Sequence, residues 1–112
     1  MIEIEAVVDR EGLLRACRAC GHARAGKAGT DIVCAAVSVL MRSALRVLSN
    51  RKGIVVRGDA PEPGLFWIET DYTAEGREFL SAAGEFLTGG LSSVAEEFPD
   101  YCRLNIRTER RT

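Results

Sequence analysis

Residues 21–38 read GHARAGKAGTDIVCAAVS, a glycine-rich segment that runs into an apolar one. Its first half contains three glycines, at Gly21, Gly26 and Gly29. Glycines at this spacing leave too little side chain and too much backbone freedom for regular structure. The second half predicts a helix that starts at Thr30 or Asp31, since either side chain can cap a helix and apolar residues follow at once. The stretch therefore predicts a loop leading into a long helix, with the remaining elements arranged around that helix.

A cysteine at the helix start and a histidine in the loop are the two residues with the most chemistry. If Asp31 is the cap, Cys34 lies in the first turn, where free backbone amides and the helix dipole favour a thiolate. His22, the single histidine of the chain, lies twelve positions earlier across a loop with no apolar residue larger than alanine. A base that faces an activated thiol is suited to nucleophilic catalysis. The alternative interpretation is a small core cysteine and a histidine in a surface turn.

The same stretch resembles a known family. The run Gly21-His22-Ala23, the later glycines Gly26 and Gly29, and the segment 31–38 are similar to the signature of the bacterial ribosomal-processing cysteine proteases. Those enzymes remove a short N-terminal extension from large-subunit ribosomal protein twenty-seven. The resemblance implies a cysteine endopeptidase with Cys34 as nucleophile and His22 as general base. It also implies a ribosomal protein precursor as peptide substrate, with an aromatic residue in the cleavage sequence, and a homodimer.

The loop is the candidate for substrate contact. Residues Ala23–Thr30 are expected to fold over a bound peptide, with glycines serving as hinges for closure. The candidate substrate-binding residues are Gly21, Gly26, Gly29 and Thr30. The backbone amides at the helix start, those of Cys34 and a neighbour, are the candidates for holding the oxyanion.

Two further motif residues have open roles. Asp31 either orients His22 as the third member of a triad or caps the helix, and the cap is favoured because aspartate is common at that position. Ser38 follows Cys34 by one helical turn and either hydrogen-bonds within the site or is an ordinary polar residue. A serine hydrolase that uses Ser38 is a weaker hypothesis than a cysteine protease, because Ser38 lies a full turn away from the helix N-terminus.

Composition bounds the class of protein. A chain of 112 residues is enough for one domain, so we expect a single domain over residues 1–112 with a disordered tail at 108–112. Lys and Arg number 15 against 16 for Asp and Glu, which argues against a nucleic-acid binder. The acidic N-terminus is unlike a signal peptide, and no stretch has the length of a membrane span. A cytoplasmic protein with reduced cysteines and no cofactor is expected.

Hydrophobic periodicity predicts the other elements. Strands are predicted at residues 1–8, 13–20, 54–58, 65–71 and 101–107, and helices at 31–48 and 73–98, with Thr73 as a cap. A rigid irregular turn is predicted at 59–64, and a kink or break at Gly89-Gly90. The order β-β-α-β-β-α-β indicates an α+β fold with two layers, a mainly antiparallel sheet of about five strands and two long helices. The first helix is apolar over most of its circumference, which suits a central helix or one shared with a second subunit.

Two other classes of function remain open at this point. Cys17, Cys20, His22 and Cys34 have the spacing of a zinc site, but residues three apart on a strand point to opposite faces. A non-catalytic, ribosome-associated protein that binds through the glycine loop is not excluded by composition. A phosphate-binding P-loop is excluded, since no Gly-Lys-Ser/Thr motif follows the glycines. Candidate aromatic contacts to the substrate are Phe66, Trp67 and Phe86, although core packing is their simpler interpretation.

Overall fold

The fold consists of one sheet and two helices. The computed structural model of the protein describes the backbone of residues 1–22 and 27–110, and the side chains of residues 1–22 and 32–110. The elements are β1 (Ile2–Val8), β2 (Leu14–Cys20), α1 (Lys27–Leu48), β3 (Ile54–Glu62), β4 (Leu65–Tyr72), α2 (Arg77–Glu97) and β5 (Cys102–Thr108). The predicted α+β class and the predicted order of elements are confirmed.

The sheet is mixed, with strand order β3-β4-β2-β1-β5. β1 pairs antiparallel with β2, β2 with β4, and β4 with β3, whereas β5 runs parallel to β1 at one edge. The β1–β2 hairpin is held by Asp9, whose Oδ1 accepts the backbone N–H groups of Glu11 and Leu13 at 2.9 and 3.0 Å. The hydroxyl of Tyr72 donates to the other oxygen of Asp9. This network fixes the hairpin that precedes the glycine-rich segment.

Both helices pack on one face of the sheet. Alternate residues of the strands, among them Ile4, Cys17 and Ile68, are buried against Met41 of α1 and Leu91 of α2. The opposite face carries ion pairs between neighbouring strands, such as Arg57 with Glu69 and Arg107 with Glu5. The result is a two-layer domain in which α1 lies over the sheet with the predicted motif near its start.

The start of α1 differs from the prediction. The helix begins at Lys27, so Thr30 and Asp31 lie inside it and neither is its cap. Lysine and alanine have high helix propensity, and one interior glycine costs only about 1 kcal/mol, so the helix extends through Gly29. A glycine at position 29 therefore does not prevent helix formation.

The predicted break in α2 is also wrong. The helix is continuous through Gly89-Gly90. A Cβ on Gly90 would lie 2.8 Å from Cδ2 of Leu40, which shows that this glycine allows α1 and α2 to approach closely.

The strand β3 is longer than predicted. It continues to Glu62, with an irregularity in its pairing between Asp59 and Glu62. The turn that follows is reduced to Pro63-Gly64.

The chain's last described residues extend the sheet. Thr108 is the final residue of β5, and the N–H of Glu109 donates to the carbonyl of Val8 at 2.7 Å. Residues 111–112 of the predicted tail lie outside the described residues. No helix in the described part of the chain is long and apolar enough to cross a membrane.

Candidate active site

A cleft of about 470 Å³ opens where the end of β2, the first half of α1 and the β3–β4 hairpin meet. Among the residues whose side chains are described, four predicted site residues line it, namely Gly21, His22, Cys34 and Ser38. The histidine comes from the segment after β2, and the cysteine and serine come from successive turns of α1. An imidazole, a thiol and a hydroxyl therefore share one concave surface.

Cys34 is half-buried and packs against the hydrophobic core. Because α1 begins at Lys27, the cysteine lies about two turns beyond the first helical residue, and the prediction that it occupies the first turn is wrong. Its backbone N–H is committed to the helical hydrogen bond with the carbonyl four residues earlier. The amide of Cys34 is therefore not available to an oxyanion, which corrects the prediction that it forms the oxyanion hole.

His22 is exposed, lies two residues past the end of β2 and lines the cleft. Its carbonyl accepts a hydrogen bond from the amino group of Met1 at 2.5 Å. The preceding residue, Gly21, has φ +104°, and a Cβ there would lie 2.4 Å from the carbonyl oxygen of Met1. No other residue type fits at this position without moving the β1 end of the sheet. The histidine thus leaves β2 at a fixed point although its side chain is open to solvent.

The floor of the cleft is apolar. Val37 and Met41 of α1 are buried there, and Phe66 of β4 closes the same surface from the sheet. Of the three aromatic residues that the sequence singles out, Phe66 is the one that lines the cleft. Trp67 points to the opposite face of β4, and Phe86 is exposed on α2. This floor is suited to an apolar side chain of a bound peptide.

One wall of the cleft was missed by the sequence reasoning. The β3–β4 hairpin contributes residues 60–65 to the lining, whereas the sequence predicts only a rigid turn there. The sequence could have predicted this wall from the run Ala60-Pro61-Glu62-Pro63-Gly64. Each proline restricts the residue before it to extended conformations, which favours a rigid, projecting hairpin.

The remaining predicted residues fall in the stretch 23–31, whose side chains are outside the described part of the chain. Gly29 and Thr30 belong to α1, so the predicted loop does not extend to Thr30. Gly26 and the side chain of Asp31 lie outside the described residues. The predicted closure of this segment over a substrate therefore stays a prediction.

The zinc alternative fails on geometry. β2 is an unbroken strand through Cys17 and Cys20, so the two thiols point to opposite faces. Cys17 is fully buried in the core, and burial raises its pKa from 9.0 to about 12. Cys20 is exposed on the other side of the sheet. These two residues cannot share a metal ion with His22 and Cys34.

Comparison with known proteins identifies the family of this chain. A family model described as cysteine protease Prp matches residues 1–103. The chain belongs to this protease family. His22 and Cys34 both lie inside the matched region, and the predicted family resemblance is confirmed. No match was found among curated proteins.

Solved structures share the Prp fold. SMU.848 from Streptococcus mutans is 29% identical to this chain, with a TM-score of 0.78 over 97% of this chain and 96% of that one. An essential ribosomal processing protease Prp from S. aureus, in complex with a covalently linked product peptide, is 23% identical with a TM-score of 0.79, over 95% of this chain and 99% of that one. The same S. aureus protease in complex with a substrate peptide is 22% identical, with a TM-score of 0.78 and the same coverage.

Proposed function

We propose that this Prp-family protein is the cysteine endopeptidase that removes the N-terminal extension of large-subunit ribosomal protein twenty-seven. The observation that carries the proposal is the presence of His22, Cys34 and Ser38 on one cleft in a chain of this family. The fold relationship to a ribosomal processing protease from S. aureus supports the substrate class.

In the proposed reaction the Cys34 sulfur gives its proton to His22 and attacks the carbonyl carbon of the scissile peptide bond. The imidazolium then donates that proton to the leaving amine, the C–N bond breaks, and a thioester remains on Cys34. His22 next takes a proton from water, which attacks the thioester. The carboxylate product leaves, and the thiol is restored by the proton on His22.

Several other residues have proposed supporting roles. Ser38 lies half-buried in the cleft one turn after Cys34. Its proposed role is a hydrogen bond within the site. Asp31 orients His22, because α1 begins too early for Asp31 to serve as its cap. The substrate lies against the apolar floor and the β3–β4 hairpin. Gly21 and the segment that precedes Cys34, with Gly26, Gly29 and Thr30, contact its backbone.

We further propose that the protease works in the cytoplasm as a homodimer. Four large apolar side chains are exposed on the two helices, namely Ile32, Val39, Val47 and Phe86. A contact between helical layers of two copies would remove this apolar surface from water, which stabilises association. The cytoplasm is the compartment in which a ribosomal protein precursor is available and cysteines stay reduced.

The proposal is tested with a synthetic peptide that spans the extension and the first residues of the mature ribosomal protein. The peptide is incubated under reducing conditions with the wild type, with Cys34→Ala and with Cys20→Ala, and the products are identified by mass spectrometry. Cys20 is exposed and outside the cleft lining, so its variant is the matched control for loss of a thiol.

We expect one cut by the wild type and by Cys20→Ala, and none by Cys34→Ala. His22→Ala should reduce the rate by about 10²–10⁴-fold, the usual contribution of a positioned general base. If the peptide is cut equally well by Cys34→Ala, the assignment of the nucleophile is wrong. If no protein cuts it and Cys34 reacts with iodoacetamide no faster than Cys20 at neutral pH, the enzyme proposal itself is wrong.

A further inference from the structure

The turn between β3 and β4 depends on glycine for its own conformation. Glu62 and Leu65 are paired across the hairpin, so Pro63 and Gly64 are the two central turn residues. Gly64 has φ +83°. Proline followed by a residue with positive φ is the pattern of a type II turn, in which glycine is the usual third residue. Rigid proline geometry and pairing of β4 with β2 make this turn a fixed part of the sheet.

The same turn contacts the histidine segment at two consecutive residues. The carbonyl of Gly64 accepts the N–H of Gly21 at 2.7 Å. A Cβ built on Gly64 would lie 2.5 Å from Nε2 and 2.9 Å from Cε1 of His22, so the imidazole rests directly against the glycine backbone. The backbone of residue 21 and the ring of residue 22 are therefore both held by one glycine from a distant part of the chain.

His22 has a particular need for such support. It lies two residues past the end of β2 and its side chain is exposed, so no regular secondary structure fixes its ring. A catalytic base is effective only when its ring is held in the productive orientation. The turn supplies a rigid surface on which the ring can rest in only a narrow range of orientations.

We propose that Gly64 is a positioning residue for His22, and that the β3–β4 turn sets the orientation of the imidazole within the cleft. The catalytic consequence rests on the proposed function, in which His22 is the base. Because the turn is also a wall of the cleft, a peptide that docks there touches the element that holds the base. Because the atoms that a side chain at Gly64 would displace are those of the His22 ring, a change there lowers kcat more than it raises KM.

The test compares Gly64→Ala with Gly12→Ala. Gly12 has φ +88°, close to that of Gly64, but a Cβ on Gly12 meets nothing within 4 Å. Both variants therefore carry a similar backbone strain, and only Gly64→Ala pushes a methyl group into the imidazole. The obstructing atoms belong to a side chain that can rotate away, so we expect Gly64→Ala to fold with its ring displaced.

The first readout observes the ring itself. His22 is the only histidine in the sequence, so its ring gives a single set of NMR signals. We expect a nuclear Overhauser effect between the ring protons and the Gly64 Hα protons in the wild type and in Gly12→Ala. In Gly64→Ala the ring signals should shift and the contact should be lost. Absence of the contact in the wild type overturns the proposal whether or not the protein is a protease.

The second readout is chemical. The alkylation rate of Cys34 by iodoacetamide and the kcat for the extension peptide are measured between pH 5 and 9 for each variant. Gly64→Ala should lower kcat by about 100-fold, the scale of a small misplacement of a catalytic group, and should change the pH profile of alkylation. Gly12→Ala should keep the wild-type profile despite a similar fall in melting temperature.

A double-mutant cycle separates positioning from general damage. In a His22→Ala background, Gly64→Ala should have no further effect on Cys34 alkylation, because the ring that it displaces is already gone. An equal effect of Gly64→Ala in both backgrounds, or identical behaviour of the Gly64 and Gly12 variants, contradicts the inference. Failure of the proposed function is distinguishable, since it appears as an unreactive Cys34 in the wild type.

Discussion

Cys34 and Cys102 lie close enough for the charge of one thiol to influence the other. Burial raises the pKa of the Cys102 thiol, and a negative charge on Cys34 raises it further. Cys102, at the start of β5, is buried in the core cluster against which Cys34 packs. The Cys102 thiol is therefore held in its neutral form within the core.

Selective alkylation follows from this arrangement. At pH 8, iodoacetamide should label Cys34 and the exposed Cys20, and should leave Cys17 and Cys102 unmodified in the native protein. Only thiolates react, and with a pKa of about 12 the thiolate fraction of Cys17 at pH 8 is about one in ten thousand. Peptide mapping by mass spectrometry gives the labelled fraction of each cysteine. Labelling of Cys102 at the rate of Cys20 would contradict the buried, neutral state described above.

The buried thiol of Cys17 predicts a loss of stability at alkaline pH. Its pKa is 9.0 ordinarily and about 12 in the folded protein, so between these values the unfolded chain has released a proton that the native state keeps. Its stabilising contribution is complete below pH 9 and is lost as the pH rises toward 12, by about 1.4 kcal/mol per pH unit.

Cys17→Ala removes this contribution to the alkaline slope, and Cys20→Ala keeps it. Urea unfolding at pH 7, 9 and 10 measures the free energy of unfolding of each variant. The pKa values of Tyr72 and Cys102 are also raised, and they add slopes of the same sign to every variant. The comparison of the two alanine variants therefore isolates Cys17. Parallel stability curves from pH 9 upward would show that Cys17 does not titrate as described.

Replacement of Asp31 by Asn separates charge from helix capping. Since α1 begins at Lys27, the free energy of unfolding should change little in Asp31→Asn. We expect kcat/KM for the extension peptide to fall by at least about 100-fold, because an amide cannot stabilise the imidazolium that forms on His22. Asp100→Asn, on the exposed turn before β5, is the control. Unchanged kcat/KM would contradict the charged role of Asp31; stability does not discriminate between the two roles, because asparagine caps a helix about as well as aspartate.

The proposed dimer surface predicts a specific monomeric variant. Phe86 is 77% exposed on α2, and Val55 is 66% exposed on the opposite side of the sheet. Phe86→Asp should give a monomer at micromolar concentration, because it places a charge in the apolar contact between helical layers. Val55→Asp should leave the dimer intact. Light scattering coupled to gel filtration measures both masses. A monomeric wild type, or a dimer that persists in Phe86→Asp, would rule out this interface.

Most of the fold and the central pair of the site follow from local sequence patterns. Alternation in β1, from Ile2 to Val8, and the long apolar run of α1 are strong signals because burial on one side imposes a period. The motif around His22 and Cys34 is contiguous enough to be recognised. His22 and Cys34 line one cleft because α1 begins only a few residues after the end of β2.

The features that were missed depend on contacts between distant residues. The β3–β4 hairpin forms a wall of the cleft because it contacts the segment around His22. No sequence pattern near Gly64 predicts that contact. The sequence predicts a helix break at Gly89-Gly90 because glycine lowers helix propensity. Tertiary packing against Leu40 outweighs that propensity at Gly90.

The two adjacent glycines of α2 give a final prediction in which identical substitutions have different effects. A Cβ on Gly89 meets nothing within 4 Å, whereas a Cβ on Gly90 would lie 2.8 Å from Cδ2 of Leu40. Gly89→Ala should raise the free energy of unfolding by about 0.5–1 kcal/mol, the usual gain from replacing glycine inside a helix. Gly90→Ala should fall short of that gain or lose stability, since Leu40 must move. Urea unfolding at one protein concentration compares them, and equal stabilisation by both would show that α1 and α2 are not in close contact at Gly90.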